Sequence, residues 1–338
     1  MRWWLIGIVL VLAAVAIGAV LSQASFPTVA AVHSYLQDSG NLSLYFCPRE
    51  DCETQFVQFL DTAQHSLHCA LYEIDLPSVQ QKLLAKTQVI EVQVVTDDDY
   101  LQEFNHSFVK ADSFGLMHNK FCIIDGEKVS TGSMNPTDND AHKNNNNLLL
   151  ISSKALAANY EDEFQEMWNG QFKKGNLVLN PQIRLGNINV ENYFCPEDHC
   201  ADEVKKELQQ AKHSIDFMTF SFTHDGIGHI LLLKSLENVT IRGVMEAKGM
   251  TKDSQYQVLH YQLGEMVVKD ANPRNMHHKV FIIDNETVVT GSFNPTAGGN
   301  QRNDENILII HEREIARRFA DEFNRLYLLG RDLQDNLQ

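Results

Sequence analysis

The sequence predicts an α/β protein built as two tandem α/β/α sandwich repeats, related by a pseudo-twofold axis, with an active site at their interface. Three observations predict it. The block at 117–125, followed by 131–137, recurs at 276–284 and 290–296, every matched position keeping the offset that separates His118 from His277. The loop Cys47-Pro48-Arg49-Glu50-Asp51-Cys52 recurs as Cys195-Pro196-Glu197-Asp198-His199-Cys200 with identical spacing. In both copies, apolar runs of strand length alternate with segments of helical period, the pattern of a layered α/β sheet.

Residues 1–26 are expected to form a transmembrane anchor or a signal peptide. Residues 3–21 are an uncharged apolar run of 19, long enough to cross a bilayer as a helix. The run exceeds a usual signal core and its basic region is Arg2 alone, which favours the anchor; Ser22-Gln23-Ala24 is a passable cleavage site, which keeps the signal peptide open. After Arg2 no Lys or Arg appears until Arg49, so the positive-inside rule places the body outside the cytoplasm. Residues 27–41 read as a polar linker.

The first repeat, 42–175, opens with a strand at 42–46, the first cysteine loop and a helix at 53–64 with Phe56, Phe59 and Leu60 on one face. Strands follow at 67–74 and 89–95. The second ends in Asp97-Asp98-Asp99, read as a solvated turn in preference to a divalent-metal site. A strand at 120–125, a turn at Asp125-Gly126, a return strand from 128, a strand at 148–151 and a helix at 154–168 complete the repeat.

The second repeat, 176–338, retraces this path with strands at 193–194, 215–222, 239–245, 277–284 and 307–310 and helices at 202–210 and 312–329. The cysteine loops are closer together in the numbering than the motif blocks are, which locates an insertion in the second repeat between Met245 and Asn275. An insertion beside a site is expected to supply a rim or lid. Its Tyr256, His260 and Tyr261 either contact substrate or pack the loop to the body.

Composition narrows the function. The 43% hydrophobic and 21% charged content excludes a disordered chain. A net charge of -16 argues against a general polyanion-binding surface, a local basic cleft excepted. In an oxidising compartment each cysteine loop is expected to close a disulfide, Cys47 with Cys52 and Cys195 with Cys200. Zinc is the competing reading, since four intervening residues suit two ligands and His199 lies inside one loop; free thiols are a third. Cys69 and Cys122 lie in apolar runs and are expected buried and unpaired. Sequons at Asn41, Asn105, Asn238 and Asn285 agree with an outside location.

The duplicated block carries the chemistry. Alternation places His118, Lys120 and Cys122 on one strand face and Asn119, Phe121 and Ile123 on the other, and treats His277 and Lys279 alike. His278 then faces away, as packing or surface. His142 and Lys143 belong to a solvated loop or the rim. A duplicated fold can bring two imidazoles and two ammoniums around one pocket. That set suits a phosphodiester: the lysines offset phosphate charge, one His attacks phosphorus and the other protonates the leaving oxygen, with no metal or cofactor required.

Two copies of His-x-Lys-x4-Asp, each with a downstream Gly-Ser-x-Asn, resemble the paired signature of the phospholipase D superfamily, over nearly all of residues 42–330. The resemblance implies hydrolysis through a phosphohistidine. It implies His118 and His277 as the catalytic pair, Lys120 and Lys279 as phosphate-holding cations, Asn135 and Asn294 as phosphate-binding amides, and Ser133 and Ser292 as supporting donors. The motif aspartates Asp125 and Asp284 read as structural or second-layer residues of the catalytic motif. Many relatives place a Glu 28 residues after the catalytic His to hold its ring. Glu305 stands there in the second repeat and Asn146 in the first. A carboxylate favours imidazolium and an amide the neutral ring, so His118 is expected to attack and His277 to donate the proton.

The motifs specify reaction better than substrate. The membrane segment and acidic body favour a phospholipid. The compact repeats and Glu305 spacing favour the alternative, a membrane-anchored nuclease for single-stranded nucleic acid. An apolar rim would indicate acyl chains; stacked aromatics with a basic groove would indicate nucleic acid. A non-enzymatic scaffold is a third class. A monomer is expected, because both motifs lie in one chain.

Overall fold

Two sheets with the same strand order carry the two halves of the chain. The computed structural model describes residues 35–112 and 115–336. The expected anchor or signal peptide, and residues 27–34 of the expected linker, lie outside them. Among the described residues no helix is long and apolar enough to cross a membrane.

In chain order the first half holds β1 (Leu36–Asp38), β2 (Asn41–Cys47), α1 (Cys52–Asp61), β3 (Ser66–Leu71), α2 (Pro77–Lys86), β4 (Glu91–Thr96), β5 (Val109–Ala111), β6 (Leu116–Met117), β7 (Lys120–Ile124), β8 (Lys128–Gly132), α3 (Asp138–His142), β9 (Asn146–Ser152) and α4 (Lys154–Trp168). The second half holds β10 (Gln182–Leu185), β11 (Ile188–Cys195), α5 (Cys200–Gln210), β12 (Ser214–Thr219), α6 (Asp225–Leu236), β13 (Thr240–Met245), α7 (Gln255–Leu263), β14 (Val267–Lys269), β15 (Lys279–Ile283), β16 (Thr287–Gly291), α8 (Ala297–Gln301), β17 (Asn303–His311) and α9 (Arg313–Asp335). The first sheet runs β2-β9-β8-β7-β3-β4-β5, and the second runs β11-β17-β16-β15-β12-β13-β14 with β10 and β1 added at its outer edge. Strand β1 falls inside the stretch expected to be linker; it pairs in parallel with β10, of the other half of the chain.

Each sheet is buried on both faces, so its central strands are apolar almost continuously. On β7, Phe121 and Ile123 enter the core shared by the two halves, while Cys122 and Ile124 enter the outer core of the first repeat. The shared core is closed by the long helices α4 and α9, whose Tyr160, Phe164, Phe319 and Phe323 are fully buried. Aromatic contacts cross it: Phe46 meets Phe319 edge-on at 5.2 Å, and Tyr160 meets Phe194 at 5.0 Å. Side-chain caps start both helices, Ser153 accepting from Leu156 N and Glu312 from Ile315 N. The result is two α/β/α sandwiches sharing an inner layer.

Polar pairs repeat across this layer with the pseudo-twofold relation. Asn306 Nδ2 donates to Asn119 Oδ1 at 2.7 Å, and Asn147 Nδ2 lies 3.1 Å from His278 Nδ1. Thr131 donates to Asn306 and Thr290 to Asn147. His278 is therefore a fully buried packing residue.

Both cysteine loops close as expected, Cys47 with Cys52 and Cys195 with Cys200. Cys69 and Cys122 correct the expectation of unpaired thiols: they form a disulfide. They are directly opposed on the antiparallel pair β3–β7, and burial in apolar strands does not preclude pairing once the register faces them. The second repeat places Phe217 opposite Phe281 at the same register.

The insertion also departs from the expected rim or lid. It folds as α7, with Tyr256 in the outer core stacked on His260 at 5.1 Å and His260 Nδ1 bonded to Val267 O. Tyr261 is exposed. The segment packs on the body through Tyr256 and Leu259, which are buried in the outer core.

Candidate active site

Strands expected to run to Ile74 and Phe222 stop at Leu71 and Thr219. The residues that follow turn out of the sheets into a cavity of about 590 Å³ lined by His118 and His277. The motif strands likewise begin only at Lys120 and Lys279, leaving both histidines in extended segments ahead of them. Those segments are held by the opposite repeat. His118 N donates to Asp304 O at 2.9 Å, and His277 N donates to Asn145 O at 2.9 Å. Inside each repeat a buried acid catches the preceding amide, Asp97 accepting from Met117 N and Glu246 from Met276 N. Asp97, expected in a solvated turn, is fully buried, and burial pushes its carboxyl up to about 6. Asp97, Asp98 and Asp112 could gather around a cation, but Asp97 is committed to backbone amides and Asp112 to Lys173.

The ring partners cross the interface. His118 Nδ1 lies 2.8 Å from Glu305 Oε2, and His277 Nδ1 lies 2.9 Å from Asn146 Oδ1. The expectation paired each histidine with the residue 28 positions later in its own repeat, and the structure exchanges the two, so the carboxylate expected to favour an imidazolium at His277 sits on His118 and the amide on His277. The reason is topological: β6 pairs with the start of β17, which carries Glu305 past its own histidine to the other one. Asn146 and Glu305 accept, so each ring presents Nδ1–H to its partner and Nε2 to the cavity.

Sequence reasoning missed a further acid. Asp140 Oδ2 lies 3.3 Å from His277 Nδ1. Burial opposes its ionisation, but the His277 ring and bonds from Asn144 and Asn135 outweigh that and hold the carboxyl well below its usual range. Burial and then Lys279 lower His277 to about 4, with Asp140 acting in the opposite direction. Burial, Lys120 and Lys279 push His118 well below its ordinary value. Burial raises Glu305 to about 7, against the pull of Lys120.

Lys120 and Lys279 are buried and fold back on their own motifs, donating to His118 O at 2.6 Å and His277 O at 2.8 Å. Lys120 sits over the ring of Tyr72 at 4.9 Å and Lys279 over Phe220 at 5.1 Å. The same rings meet His118 and His277 edge-on. Burial lowers Lys120 to about 8, and burial with repulsion from Lys120 lowers Lys279 well below its usual value. An arriving phosphate reverses both shifts by supplying the missing counter-charge.

Asn135 and Asn294 line the cavity, yet Asn135 Nδ2 donates to Asp140 Oδ2. Ser133 and Ser292 lie beside the ring partners: Ser133 Oγ donates to Asn146 Oδ1 at 3.2 Å, and Ser292 Oγ accepts from the backbone N of Asn306, next to Glu305, at 2.9 Å. Asp125 and Asp284, counted with the catalytic motif, lie at the far ends of β7 and β15. Asp125 accepts from the amides of Gln64, His65 and Ser66, and Asp284 from those of Lys212, His213 and Ser214. Five to seven residues of extended chain separate them from the lysine and histidine, roughly 16–23 Å, so they clamp a turn. His142 and Lys143 bind Asp138 and stand outside the cavity lining.

Tyr72 and Phe220 stand at the same offset as Cys47 and Cys195, so comparison of the repeats' front halves finds them. Asp140 leaves no such trace, because Gly299 occupies the matching position of the second repeat. Tyr100, Glu73 and Arg302 are among the other lining residues that the sequence did not single out.

The family described as "Cardiolipin synthase, PLD-like domain" matches residues 56–168 and 204–327. The human mitochondrial cardiolipin hydrolase is 33% identical over 122 residues, which is 36% of this chain and 48% of that protein. The phospholipase D of Rickettsia felis is 30% identical over 151 residues, 42% of this chain and 74% of that protein. This chain thus spans about half the length of the human relative it matches. The crystal structure of phosphatidylserine synthase from Haemophilus influenzae Rd KW20 superposes with a TM-score of 0.66 at 12% identity, covering 84% of this chain and 86% of that one; at that identity the likeness concerns the fold. With both halves matched and both motifs meeting in one cavity, the chain belongs to the phospholipase D-like family.

Proposed function

We propose that the chain is a phosphodiesterase that hydrolyses a phospholipid through a phosphohistidine on His118, with His277 as general acid and base. One observation carries the reading: two imidazoles, one from each repeat, line a single cavity, and two buried ammoniums pack on its Tyr72 and Phe220 walls. His118 Nε2 forms the P–N bond with its lone pair as the P–O bond to the leaving alcohol breaks. His277 Nε2–H gives its proton to that oxygen. Water then attacks phosphorus, returns a proton to His277 and releases His118. Lys120 and Lys279 hold the non-bridging oxygens and Asn294 supplies a further amide.

Phospholipid is favoured because Arg302 is the one Lys or Arg among the described lining residues, beside Glu73 and Asp140. A long polyanion would need several. The mostly polar lining suits a head group and phosphate, with acyl chains left in the bilayer. Tyr72, Tyr100 and Phe220 favour a second reading, in which they stack bases of a single strand. The N-terminal apolar run would tether the body on the extracytoplasmic side, a location that three disulfides suit. Protease accessibility of the body in sealed cells or vesicles tests that location.

The test of substrate offers the detergent-solubilised full chain cardiolipin and phosphatidylcholine micelles beside a labelled single-stranded oligonucleotide, with EDTA present. Lipid cleavage that disappears in His118→Ala is the expected result. Cleavage of the oligonucleotide alone would replace the lipid reading with the nuclease.

A further inference from the structure

The two catalytic histidines are related by the pseudo-twofold axis but do not have equivalent surroundings. We infer that Asp140 is a positioning residue that lets His277 serve as the proton donor to the leaving alcohol. This rests on the phosphohistidine reading above.

Asp140 is buried and tied down on three sides. Thr137 Oγ1 accepts from its backbone N, Asn144 Nδ2 donates to Oδ1 at 2.6 Å, and both the backbone N and Nδ2 of Asn135 donate to Oδ2. The same Oδ2 faces His277 Nδ1 at 3.3 Å, beside Asn146 Oδ1 at 2.9 Å. Asn146 is an amide where its counterpart Glu305 is an acid, so the crossed partner alone would leave His277 without a negative charge. Helix α3 supplies that charge from another position.

The second repeat cannot do the same for His118. Gly299 stands at the matching place, and a side chain there would run into Asn294 O and the ring of Phe293. His118 takes its carboxylate instead from its ring partner Glu305, 2.8 Å from Nδ1. A neutral amide and an anionic carboxylate on one Nδ1–H allow the ring to hold a second proton at Nε2 while Asp140 balances its charge. The charged groups facing His277 are Asp140 from α3, Lys279 from its own strand and Lys120 from β7; of these only Asp140 favours the imidazolium. Asp140 also takes one amide hydrogen of Asn135, so the phosphate-facing amides differ between the repeats as well.

A general acid matters most when the leaving group is a poor one, which gives a readout that mere loss of structure does not imitate. The experiment compares the full chain with Asp140→Asn on two substrates, an alkyl phosphodiester and a nitrophenyl phosphodiester with an activated leaving group. Product of the first turnover is followed across pH. We expect Asp140→Asn to slow the alkyl diester by about 100-fold while leaving first-turnover nitrophenolate release within about threefold. We also expect the alkaline limb of the alkyl profile to move to lower pH, because removing the carboxylate lowers the pKa of His277. The double variant Asp140→Asn/Asn146→Asp restores a carboxylate at Nδ1 and should recover most of the alkyl rate. Equal slowing of both substrates, an unmoved alkaline limb, or no recovery in the double variant would overturn the role of Asp140. Absence of turnover of either diester by the unaltered chain would instead overturn the phosphodiesterase reading.

Discussion

At the scale of single residues, the exchange of ring partners determines what each substitution does. Glu305 touches His118, so Glu305→Gln should cut turnover by about 100-fold and perturb the ring resonances of His118 while leaving those of His277 in place. Nitrogen-detected NMR of the imidazoles checks this. A change centred on His277 would mean that the partners lie within repeats. His118→Ala should abolish turnover, a loss of about 10⁴-fold or more, with the fold kept because the ring lies at the cavity wall and not in the apolar core. The identities of His118, Lys120, His277 and Lys279 are legible in the sequence, since packing alone has no need of the same His-Lys block twice in register. Their second layer is not. Glu305 and Asn146 can be named by spacing, but spacing along the chain carries no information about which side of an interface a side chain reaches. Asp140 is invisible for the opposite reason: it occurs once, and comparison of repeats finds only what is repeated.

At the scale of elements, the cross-strand disulfide Cys69–Cys122 sits two residues beyond Lys120 on the strand that carries the first motif. Its loop spans a sequence separation of 53, against 5 for each of the two short loops, so it constrains the unfolded chain far more. Cys69→Ala/Cys122→Ala should lower unfolding stability by about 2–4 kcal/mol, measured by denaturant titration without reductant. An unchanged midpoint would show that strand pairing alone holds β7 in place. The strands β2, β3, β4, β7 and β9 and their copies are legible from apolar runs, and β8 from the Asp125-Gly126 turn before it, whereas its copy β16 follows Asp284-Asn285, which lacks the glycine. Helices α2 and α6 are not, because Pro77–Lys86 has a weak apolar stripe, with only Val79 and Leu83 buried, and Asp225–Leu236 is apolar almost all round. Strand β1 escapes detection because three residues at a sheet edge show no period, and its partner β10 belongs to the other half of the chain. The register that pairs Cys69 with Cys122 likewise exists only once the strands are laid side by side.

At the scale of the whole molecule, two repeats are needed to make one site, since each supplies one His–Lys pair and the partner of the other's histidine. Two buried ammoniums packed on the Tyr72 and Phe220 walls of one cavity predict binding of inorganic phosphate. At about 100 times its dissociation constant, phosphate should add about 2.7 kcal/mol of stability, seen as a rise in melting temperature. That increment should shrink as pH rises through about 8, where Lys120 loses its proton in the free protein. The contribution of Lys120 to the ligand-free chain has the opposite sign. Between about 8 and 10.5 the unfolded chain holds a proton that the folded one has released, so this contribution to stability rises with pH across that window. The same melting series in Lys120→Met should lose both effects; if the phosphate increment survived unchanged, phosphate would be binding elsewhere.

The central claim, one cavity in which His118 becomes covalently phosphorylated, is tested most directly by base-quenching a reaction with phosphorus-labelled phosphatidyl substrate and mapping the label. The expected result is phosphohistidine on the peptide carrying His118, absent in His118→Ala. Label on the His277 peptide would reverse the two roles, and a substrate consumed without any labelled histidine would contradict the covalent mechanism itself.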